Sequence, residues 1–302
     1  MTTPRFSFEL PTHRVDEPAE FVSGDAVGEL AAAAERAGFA ACHVTDHPAP
    51  DAKWLDHGGH HALDPFVALS FAAAATRDLK VMTHVLIPAY RNPFLLAKSI
   101  QSIDLLSGGR FVLGAGSGYL KPEFAALGVE FDERNDLFDE SIEVLTAVLA
   151  GGDTAYAGRH FSARGVRLAP PTIARPRPPI WVGGNSVRAI ERAVRHCEGW
   201  APFGTAGYAA ASRTADISEP DDLALRIAKA RVMADEVGRT APLEICYSAG
   251  NLGDPLLSVE QRRDLIGSLT DAGVTWLTVN LTADSRAELV DAAAAFADTF
   301  IS

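Results

Sequence analysis

The sequence predicts an α/β fold and, within that class, a (β/α)8 TIM barrel. Short apolar or β-branched runs alternate with amphipathic, alanine-rich segments along the whole chain of 302 residues. The apolar runs are continuous, which is typical of parallel strands that are covered on both faces. The alternation gives eight strand–helix units. This count at this length favours a closed barrel over an open, doubly wound sheet.

The first four units come before the middle of the chain. Their boundaries are marked by proline at a helix start, as at Pro65, and by glycine at a helix end, as at Gly38. We expect strands at 5–10, 39–46, 79–87 and 110–116, and helices at 25–38, 64–76, 92–109 and 131–152.

Residues 151–178 are irregular and rich in arginine and proline, and we interpret them as an insertion after the fourth helix. The last four units follow this insertion. We expect their strands at 179–184, 198–203, 242–249 and 274–281, and their helices at 186–197, 219–238, 258–273 and 285–300. No repeat, low-complexity tract or linker indicates a second domain. Residues 1–302 are therefore expected to form a single barrel domain that carries the insertion 151–178.

The charge of the chain restricts its possible partners, and its cysteine content restricts its cellular location. The chain has 27 basic and 39 acidic residues, which give a net charge of −12. A surface this negative repels phosphate backbones and anionic lipids, so we expect a small-molecule substrate and neither nucleic acid nor membrane as a partner. Cys42, Cys197 and Cys246 match no metal-ligand spacing and fit a reduced protein. The sequence shows no signal peptide or membrane span, so we expect a cytoplasmic location.

The residues that end the second strand are the first candidates for catalysis, because barrel enzymes carry their chemistry on the loops after the strands. Asp46 and His47 stand there. Histidine exchanges protons near neutral pH, and a neighbouring carboxylate fixes its tautomer. The alternative is that Asp46 caps a turn and that His47 is a surface side chain.

The segment WLDHGGHHALDP, which begins at Trp54, is rich in histidine. A metal site is one interpretation of His57, His60 and His61. However, their spacing is not that of a helix-borne zinc pair and no acidic partner is clearly placed, so we predict no metal. A glycine-flexible loop over a pocket fits better, and Trp54, His57 and His60 are then substrate-pocket residues. Trp54 is equally explained as a half-buried anchor.

A glycine-rich loop follows the fourth strand. LGAGSGY contains Gly116, Ser117 and Gly118 and differs from the dinucleotide fingerprint, because its third glycine comes one residue early. Glycine at these positions allows a flat ligand to approach the backbone closely. We therefore predict cofactor contacts here.

A second glycine-rich loop follows the fifth strand. In VGGNSVRAI, Gly183 and Gly184 present backbone N–H groups, and Asn185 or Ser186 is a good N-cap for the helix that follows. A helix N-terminus binds phosphate without a lysine. A plain capped turn is the alternative. We predict a phosphate site that includes Gly183, Gly184 and Asn185.

Four segments together resemble the luciferase-like monooxygenase superfamily. They are VTDHPAP, VMTHVLIPAYRNPFLLAKSIQSIDLLSGGRFVLGAGSGY, FDERNDLFDESIEVL and PPIWVGGNSVRAIERAVRHCEGWAPF. More narrowly, they are similar to the actinobacterial branch that uses the deazaflavin coenzyme F420. The likeness covers nearly the whole chain and lies in the order of the motifs. It implies the (β/α)8 barrel with an insertion after the fourth helix.

The resemblance implies roles for individual residues. Asp46 and His47 would lie beside the deazaflavin ring, and His47 would aid proton transfer. Thr83, His84 and Val85 would form a bulge that backs the ring, with a non-prolyl cis peptide between His84 and Val85.

The resemblance also implies that Gly183 and Gly184 hold the cofactor phosphate. Sugar-phosphate dehydrogenases of the family have a glutamate in the loop after the fourth strand, where this chain has Ser117. This departure disfavours the sugar-phosphate reaction. Glu123 is nearby in sequence, and nothing in the sequence shows that it points inward.

The resemblance therefore implies an F420-dependent oxidoreductase that transfers a hydride between the deazaflavin C5 and a small organic substrate, in either direction. A luciferase-like monooxygenase that uses FMN and oxygen is the alternative, because both cofactors carry a ribityl phosphate. The F420 tail needs cationic or amide contacts, which Lys121, Arg159, Arg164 or Arg167 would supply. A non-catalytic flavin or deazaflavin carrier and a metal-dependent hydrolase are further alternatives. Related barrels often dimerise, so a homodimer is allowed.

Overall fold

The protein, seen here in a computed structural model, is described for residues 3–205, 214–250 and 252–301. Its strands in these residues are β1 (Arg5–Glu9), β2 (Ala41–Val44), β3 (Lys80–Leu86), β4 (Phe111–Ala115), β5 (Thr154–Ala157), β6 (Ser162–Val166), β7 (Ile180–Gly183), β8 (Gly199–Ala201), β9 (Glu244–Tyr247) and β10 (Trp276–Val279). All except β5 and β6 form one closed parallel barrel. The predicted (β/α)8 fold is therefore confirmed.

The helices follow the barrel strands as predicted. In the described residues they are α1 (Pro18–Phe21), α2 (Gly24–Ala37), α3 (Ala52–Leu55), α4 (Pro65–Ala75), α5 (Pro93–Leu106), α6 (Lys121–Ala126), α7 (Arg134–Leu149), α8 (Val187–His196), α9 (Pro220–Glu236), α10 (Val259–Ala272) and α11 (Arg286–Phe300). The sequence analysis misses α1, α3 and α6, because helices of four to six residues are too short to show a helical period. No helix in these ranges has the length and apolar composition needed to cross a membrane.

The strand order places all candidate loops at one end of the barrel. Each barrel strand pairs in parallel with the next one in the chain, and β10 closes the ring against β1, where Phe8 pairs with Val279. Parallel neighbours require crossover connections, which the helices supply on the outside. The carboxyl ends of the strands, and the loops that follow them, therefore share one mouth.

Large side chains fill the barrel floor below this mouth. Trp181 and Trp276 meet edge to face, with ring centroids 5.2 Å apart. Gly199 makes room for them, since a Cβ atom there would lie 2.4 Å from the Trp181 ring. The interior cluster consists of Ala41, Met82, Val112, Trp181, Ala201, Cys246 and Trp276. Most of these residues come from the first halves of their strands, so the cavity opens only at the carboxyl end.

The insertion 151–178 is not wholly irregular, and this part of the prediction is wrong. Strands β5 and β6 form an antiparallel hairpin. Glu140 of α7 anchors the turn, because its carboxylate accepts hydrogen bonds from the backbone N–H groups of His160 and Phe161 at 2.8–3.0 Å. The Nδ1 atom of His160 lies 2.6 Å from the same carboxylate. These contacts to a distant helix are invisible in the local pattern of the chain.

Candidate active site

Two connected compartments open at the barrel mouth. The rim compartment, about 260 Å³ in volume, lies between the loops after β2, β3, β4 and β7. The central compartment, about 510 Å³, lies over the middle of the barrel. Their common wall is formed by Thr45, His84, Val85, Gly183, Gly184 and Phe203.

His47 lines the rim compartment directly after β2. Its side chain is 12% exposed, and its Nδ1 atom lies 3.3 Å from Oε2 of Glu123. The ring packs against Trp54 and His60, with centroid distances of 4.5 Å and 4.9 Å. With Nδ1 occupied by the carboxylate, Nε2 is the ring nitrogen that remains for a proton transfer.

Glu123 is the carboxylate that holds His47, and the sequence analysis left its orientation open. It comes from α6 and its side chain is 1% exposed. It also accepts hydrogen bonds from the Ala49 N–H at 3.0 Å and from the Tyr90 hydroxyl at 2.9 Å. Burial by itself would raise the pKa of Glu123, but the hydrogen bonds from His47, Ala49 and Tyr90 outweigh burial and lower it. The folded protein therefore stabilises the ionised form.

Asp46 has a different role from the one expected at the mouth. Its carboxylate accepts two hydrogen bonds from Arg91, at 2.6 Å and 2.8 Å, and one from the Ile87 N–H at 3.0 Å. The side chain is 1% exposed. These contacts tie the end of β2 to the segment after β3. The carboxylate that contacts His47 is therefore Glu123 and not Asp46.

Strand β3 carries a bulge where the two compartments meet. The pairing of β3 with β4 shifts between Thr83 and Leu86, and the His84–Val85 peptide bond is cis. Both features confirm the expectation from the resemblance. Thr83 does not line either compartment, because its buried hydroxyl donates to the Gly114 carbonyl at 2.8 Å. The Nε2 atom of His84 is buried and has no hydrogen-bond partner among the described residues.

The loop after β4 lies against this bulge, as a flat ligand site requires. Gly116, Ser117 and Gly118 line the rim compartment. A Cβ atom on Gly116 would come within 2.8 Å of the Val85 side chain. Gly118 has a φ of +77°, in the left-handed region that favours glycine. Because glycine has no side chain, only backbone atoms of the loop line the cavity at these two positions.

Gly183 and Gly184 line both compartments, but Gly184 does not offer a bare N–H group as we expected. Its N–H donates to the Ala201 carbonyl at 3.2 Å, and its own carbonyl accepts from the Trp200 indole at 2.7 Å. A Cβ atom on Gly183 would lie 2.9 Å from Val85. Gly184 has a φ of +114°. The two glycines therefore provide close packing and a sharp turn.

Asn185 lines neither compartment, so the geometry does not support its predicted contact with a cofactor. Its side chain is buried and bonded to the backbone of Phe203 and Ala215 at 2.8–3.0 Å. Ser186 is the N-cap of α8, since its hydroxyl accepts from the Ala189 N–H at 3.2 Å.

The part of this region that would suit an anion is therefore the start of α8. Ser186, Ala189 and Arg192 line the rim compartment together with Arg134. The first turn of a helix has N–H groups without intrahelical acceptors and a partial positive charge. The guanidinium of Arg192 also lies at this end, where it is paired with the Asp139 carboxylate at 2.5 Å and donates to Asn135 at 2.9–3.2 Å. This end of the rim compartment suits a phosphate.

The central compartment contrasts with this basic end. Glu9, His13, His43, His60 and His84 line it. Glu9 is 18% exposed, and its carboxylate lies 3.8 Å from Nδ1 of His13. Burial raises the pKa of Glu9 to about 7. Burial lowers the pKa of His13 and that of His84 to about 4 each, and it lowers those of His43 and His60 as well. These imidazoles are therefore neutral at pH 7.

We expect Glu9→Gln to stabilise the protein at alkaline pH but not below about pH 4.5, the ordinary pKa of glutamate. Because the folded pKa is raised, the folded protein binds this proton more tightly than the unfolded chain does. The free energy of unfolding therefore falls as the pH rises from about 4.5 to about 7. The loss reaches at most about 3 kcal/mol and persists above that range. Urea unfolding of both proteins at pH 4 and pH 8 measures the difference, and an equal difference at both values would contradict it.

Comparison with known proteins identifies the family. The model of the luciferase-like monooxygenases matches residues 5–248. The chain belongs to this family. The uncharacterized protein y4wF of Sinorhizobium fredii is 33% identical over 156 residues, which are 52% of this chain and 44% of that protein. The uncharacterized protein Mb0965c of Mycobacterium bovis is 29% identical over 229 residues, 72% of this chain and 74% of that protein.

Solved structures share the fold of this luciferase-like protein at low identity. The monooxygenase RslO1 from Streptomyces bottropensis has a TM-score of 0.79 at 21% identity and covers 98% of each chain. An F420-dependent secondary alcohol dehydrogenase with an F420–acetone adduct has a TM-score of 0.76 at 17% identity and covers 99% of each. An FMN complex of a type II Baeyer–Villiger monooxygenase from Pseudomonas putida has a TM-score of 0.75 at 15% identity, with 99% and 98% covered.

In this luciferase-like chain the histidine-rich loop divides into two parts. Trp54 and His60 pack on His47, and His60 also lines the central compartment. His57 is exposed, and its Nδ1 atom lies 2.6 Å from the Lys53 carbonyl, so its expected place in the substrate pocket is not supported. Within the described ranges, no group of three or more His, Cys, Asp or Glu side chains is placed to hold a metal.

The basic residues considered for a cofactor tail lie elsewhere. Arg159 pairs with Glu133 and with Asp136 of α7, and Arg167 pairs with Asp153; both arginine side chains are 65% exposed. Neither arginine lines the two compartments. Among the described residues, the basic side chains that line the rim compartment are Arg134 and Arg192. Neither was predicted from the sequence.

Proposed function

We propose that this protein is an F420-dependent oxidoreductase that transfers a hydride between the deazaflavin C5 and a small organic substrate. The pair formed by His47 and Glu123 carries this proposal. An alcohol that loses a hydride must also lose its hydroxyl proton, and the reverse reaction must return one. A histidine held by a buried carboxylate at the wall of the cavity is suited to this proton transfer.

The residues present fit a cofactor that combines a flat ring with a phosphate. The ring would lie against the bulge at His84 and Val85, where the Val85 side chain occupies the space that a Cβ atom on Gly116 or Gly183 would need. The phosphate would lie at the start of α8, near Ser186 and Arg192. When bound, the deazaflavin supplies the hydride acceptor or donor.

The protein's own contribution is positioning and proton handling. Glu123 orients the His47 ring through Nδ1, so Nε2 exchanges a proton with the substrate oxygen. Tyr90 donates to the same carboxylate and limits its movement. Trp54 and His60 pack against the His47 ring, whose side chain is only 12% exposed.

Titration of the apoprotein with F420, FMN and nicotinamide cofactors, followed by fluorescence, tests the proposal. We expect tight binding of F420 and weak binding of the other two. Oxidation or reduction of F420 with a substrate series then tests the reaction. Tight binding of FMN with oxygen consumption would instead support the luciferase-like monooxygenase alternative. Binding without turnover for any substrate would support the non-catalytic carrier.

We expect Gly184→Ala to weaken cofactor binding by about tenfold, or about 1.4 kcal/mol. The new methyl group would lie 3.6 Å from Ala189 in the first turn of α8, at the proposed phosphate position. Gly128→Ala is the matched control, because Gly128 also has a positive φ, +70°, and no neighbour within 4 Å of its Cβ position. Both variants carry backbone strain, so equal affinities in the two would contradict the assignment.

A further inference from the structure

We propose that the central compartment binds a neutral, hydroxyl-bearing molecule and excludes anionic ones. This inference deepens the proposed function and rests on it for the statement that the bound molecule is the substrate. It depends on the charges and hydrogen-bonding groups of one cavity, so it is testable without the cofactor.

The position of the cavity suits a reactant. The central and rim compartments share the wall at His84, Val85, Gly183 and Gly184. A ring that lies against this wall, with its phosphate at the start of α8, would border the central compartment. Of the two compartments His47 lines only the rim one, so a molecule in the central compartment must extend past the shared wall at Thr45 and His84 to reach it. The volume of the central compartment, about 510 Å³, is large enough for a small organic molecule.

The described residues of the lining offer no positive charge to hold an anion. None of the described residues that line the central compartment is lysine or arginine. Arg14 is close in sequence to His13, but its guanidinium donates to Glu17 at 2.7 Å and to the Ala283 carbonyl. Burial lowers the pKa of each of the four imidazoles in the lining, so they are neutral at pH 7. A carboxylate or phosphate would therefore lose its hydration and meet the carboxyl group of Glu9.

The same lining offers acceptors and donors to hydroxyl groups. A neutral imidazole presents one nitrogen that donates and one that accepts. The Nδ1 atom of His60 lies 2.9 Å from the His61 carbonyl, which leaves Nε2 as the acceptor. The Nε2 atom of His84 is buried without a recorded partner, and Asn280 adds an amide at the edge of the cavity. A buried polar atom of this kind gains most from a ligand that completes its hydrogen bond.

The difference in charge between the two compartments favours an anionic group in the rim compartment and a neutral molecule in the central compartment. Arg134, Arg192 and the start of α8 line the rim compartment, where we place the anion. The described residues that line the central compartment include no lysine or arginine. A phosphorylated substrate would need a second cationic site, whereas a neutral alcohol needs only the acceptors that are present.

The test compares matched pairs of ligands by ligand-observed NMR on the cofactor-free protein. The pairs are glycerol with glycerate, glucose with gluconate, and cyclohexanol with cyclohexanecarboxylate. We expect at least one neutral member to bind, and its carboxylate partner to bind at least about tenfold more weakly. Asn280→Leu should weaken binding of the neutral member. At pH 8, where Glu9 is largely ionised, Glu9→Gln should narrow the difference in affinity within a pair. Glu29→Gln, which removes a charge on the exposed face of α2, should leave that difference unchanged.

Three results would overturn the inference. They are carboxylate binding as tight as that of the neutral partner, no detectable binding of any neutral member, and neutral binding that Asn280→Leu leaves unchanged. Because these measurements need no cofactor, they are separate from the F420 titration. A protein that binds F420 but prefers anions would retain the proposed function and lose this inference.

Discussion

Replacing His47 with alanine is expected to lower turnover by about 10²–10⁴-fold, the range that a positioned acid–base group contributes. The cofactor affinity should change little, because the proposed phosphate position at α8 lies away from this ring. Steady-state kinetics with F420 and a confirmed substrate, together with a fluorescence titration of F420, measure the two effects separately. Unchanged turnover would remove His47 from the mechanism and favour a carrier.

Two further variants distinguish the residue that transfers the proton from the residues that position it. Glu123→Gln keeps the size of the side chain but removes the charge that fixes His47, so we expect a smaller loss than for His47→Ala. Tyr90→Phe removes one donor to that carboxylate and should have the smallest effect. Each loss should appear in kcat rather than in KM. An order of effects that places Tyr90→Phe above His47→Ala would contradict this arrangement.

The pair also has a pH dependence whose sign follows from Glu123. Its pKa is lowered below the ordinary 4.5, so the ionised carboxylate stabilises the folded state above that value. This stabilisation is lost as the pH falls through the folded pKa. Glu123→Gln should therefore cost stability at neutral pH and little at low pH, which is opposite in sign to Glu9→Gln.

The barrel was predictable because its evidence is local. Apolar strands and amphipathic helices repeat over short windows, and capping residues such as Asp64 and Ser258 mark helix starts within a few positions. The hairpin β5–β6 was not predictable in this way. It is held by Glu140, which lies 20 residues before its nearest partner in the loop.

Site residues were predictable where their position at the end of a strand places them at the barrel mouth. They were missed where they depend on contacts between residues that are distant in the sequence. His47 stands at the end of a strand, so the barrel geometry selects it. Glu123 lies 76 residues further along the chain, and its approach depends on the unpredicted helix α6. The segment PAYRNP contained the signal for Tyr90 and Arg91, since polar residues directly after the third strand must lie at the mouth.

Gly183 and Gly184 lie where the sequence predicts, but the reason for glycine at these positions differs from the predicted one. Gly183 and Gly184 lie at the cavity, as the sequence indicates, but the N–H group of Gly184 is bonded to Ala201. The reason for glycine is the close approach of Val85 and a positive φ. Neither condition is visible in a sequence, because the first depends on the bulge of β3 and the second on the turn from β7 into α8.

Replacing Arg91 with leucine is expected to cost about 3–5 kcal/mol of folding free energy, because it leaves the Asp46 carboxylate buried with one remaining donor. Asp46 is 1% exposed, and Arg91 supplies two of its three hydrogen bonds. Urea unfolding at neutral pH measures the loss. Arg159→Leu is the control, because that guanidinium is 65% exposed. Removing such an exposed ion pair should cost less than about 1 kcal/mol.

The double variant Asp46→Leu/Arg91→Leu distinguishes a buried charge from a lost contact. If the cost of Arg91→Leu comes from the unpaired carboxylate, removing that carboxylate as well should restore most of the stability, to within about 2 kcal/mol of the parent. If the cost came from lost packing of the arginine, the two changes would add. Additive losses would therefore show that Arg91 acts through its methylene chain. The carboxylate of Asp46 would then have to be stabilised by solvent or by the Ile87 N–H alone.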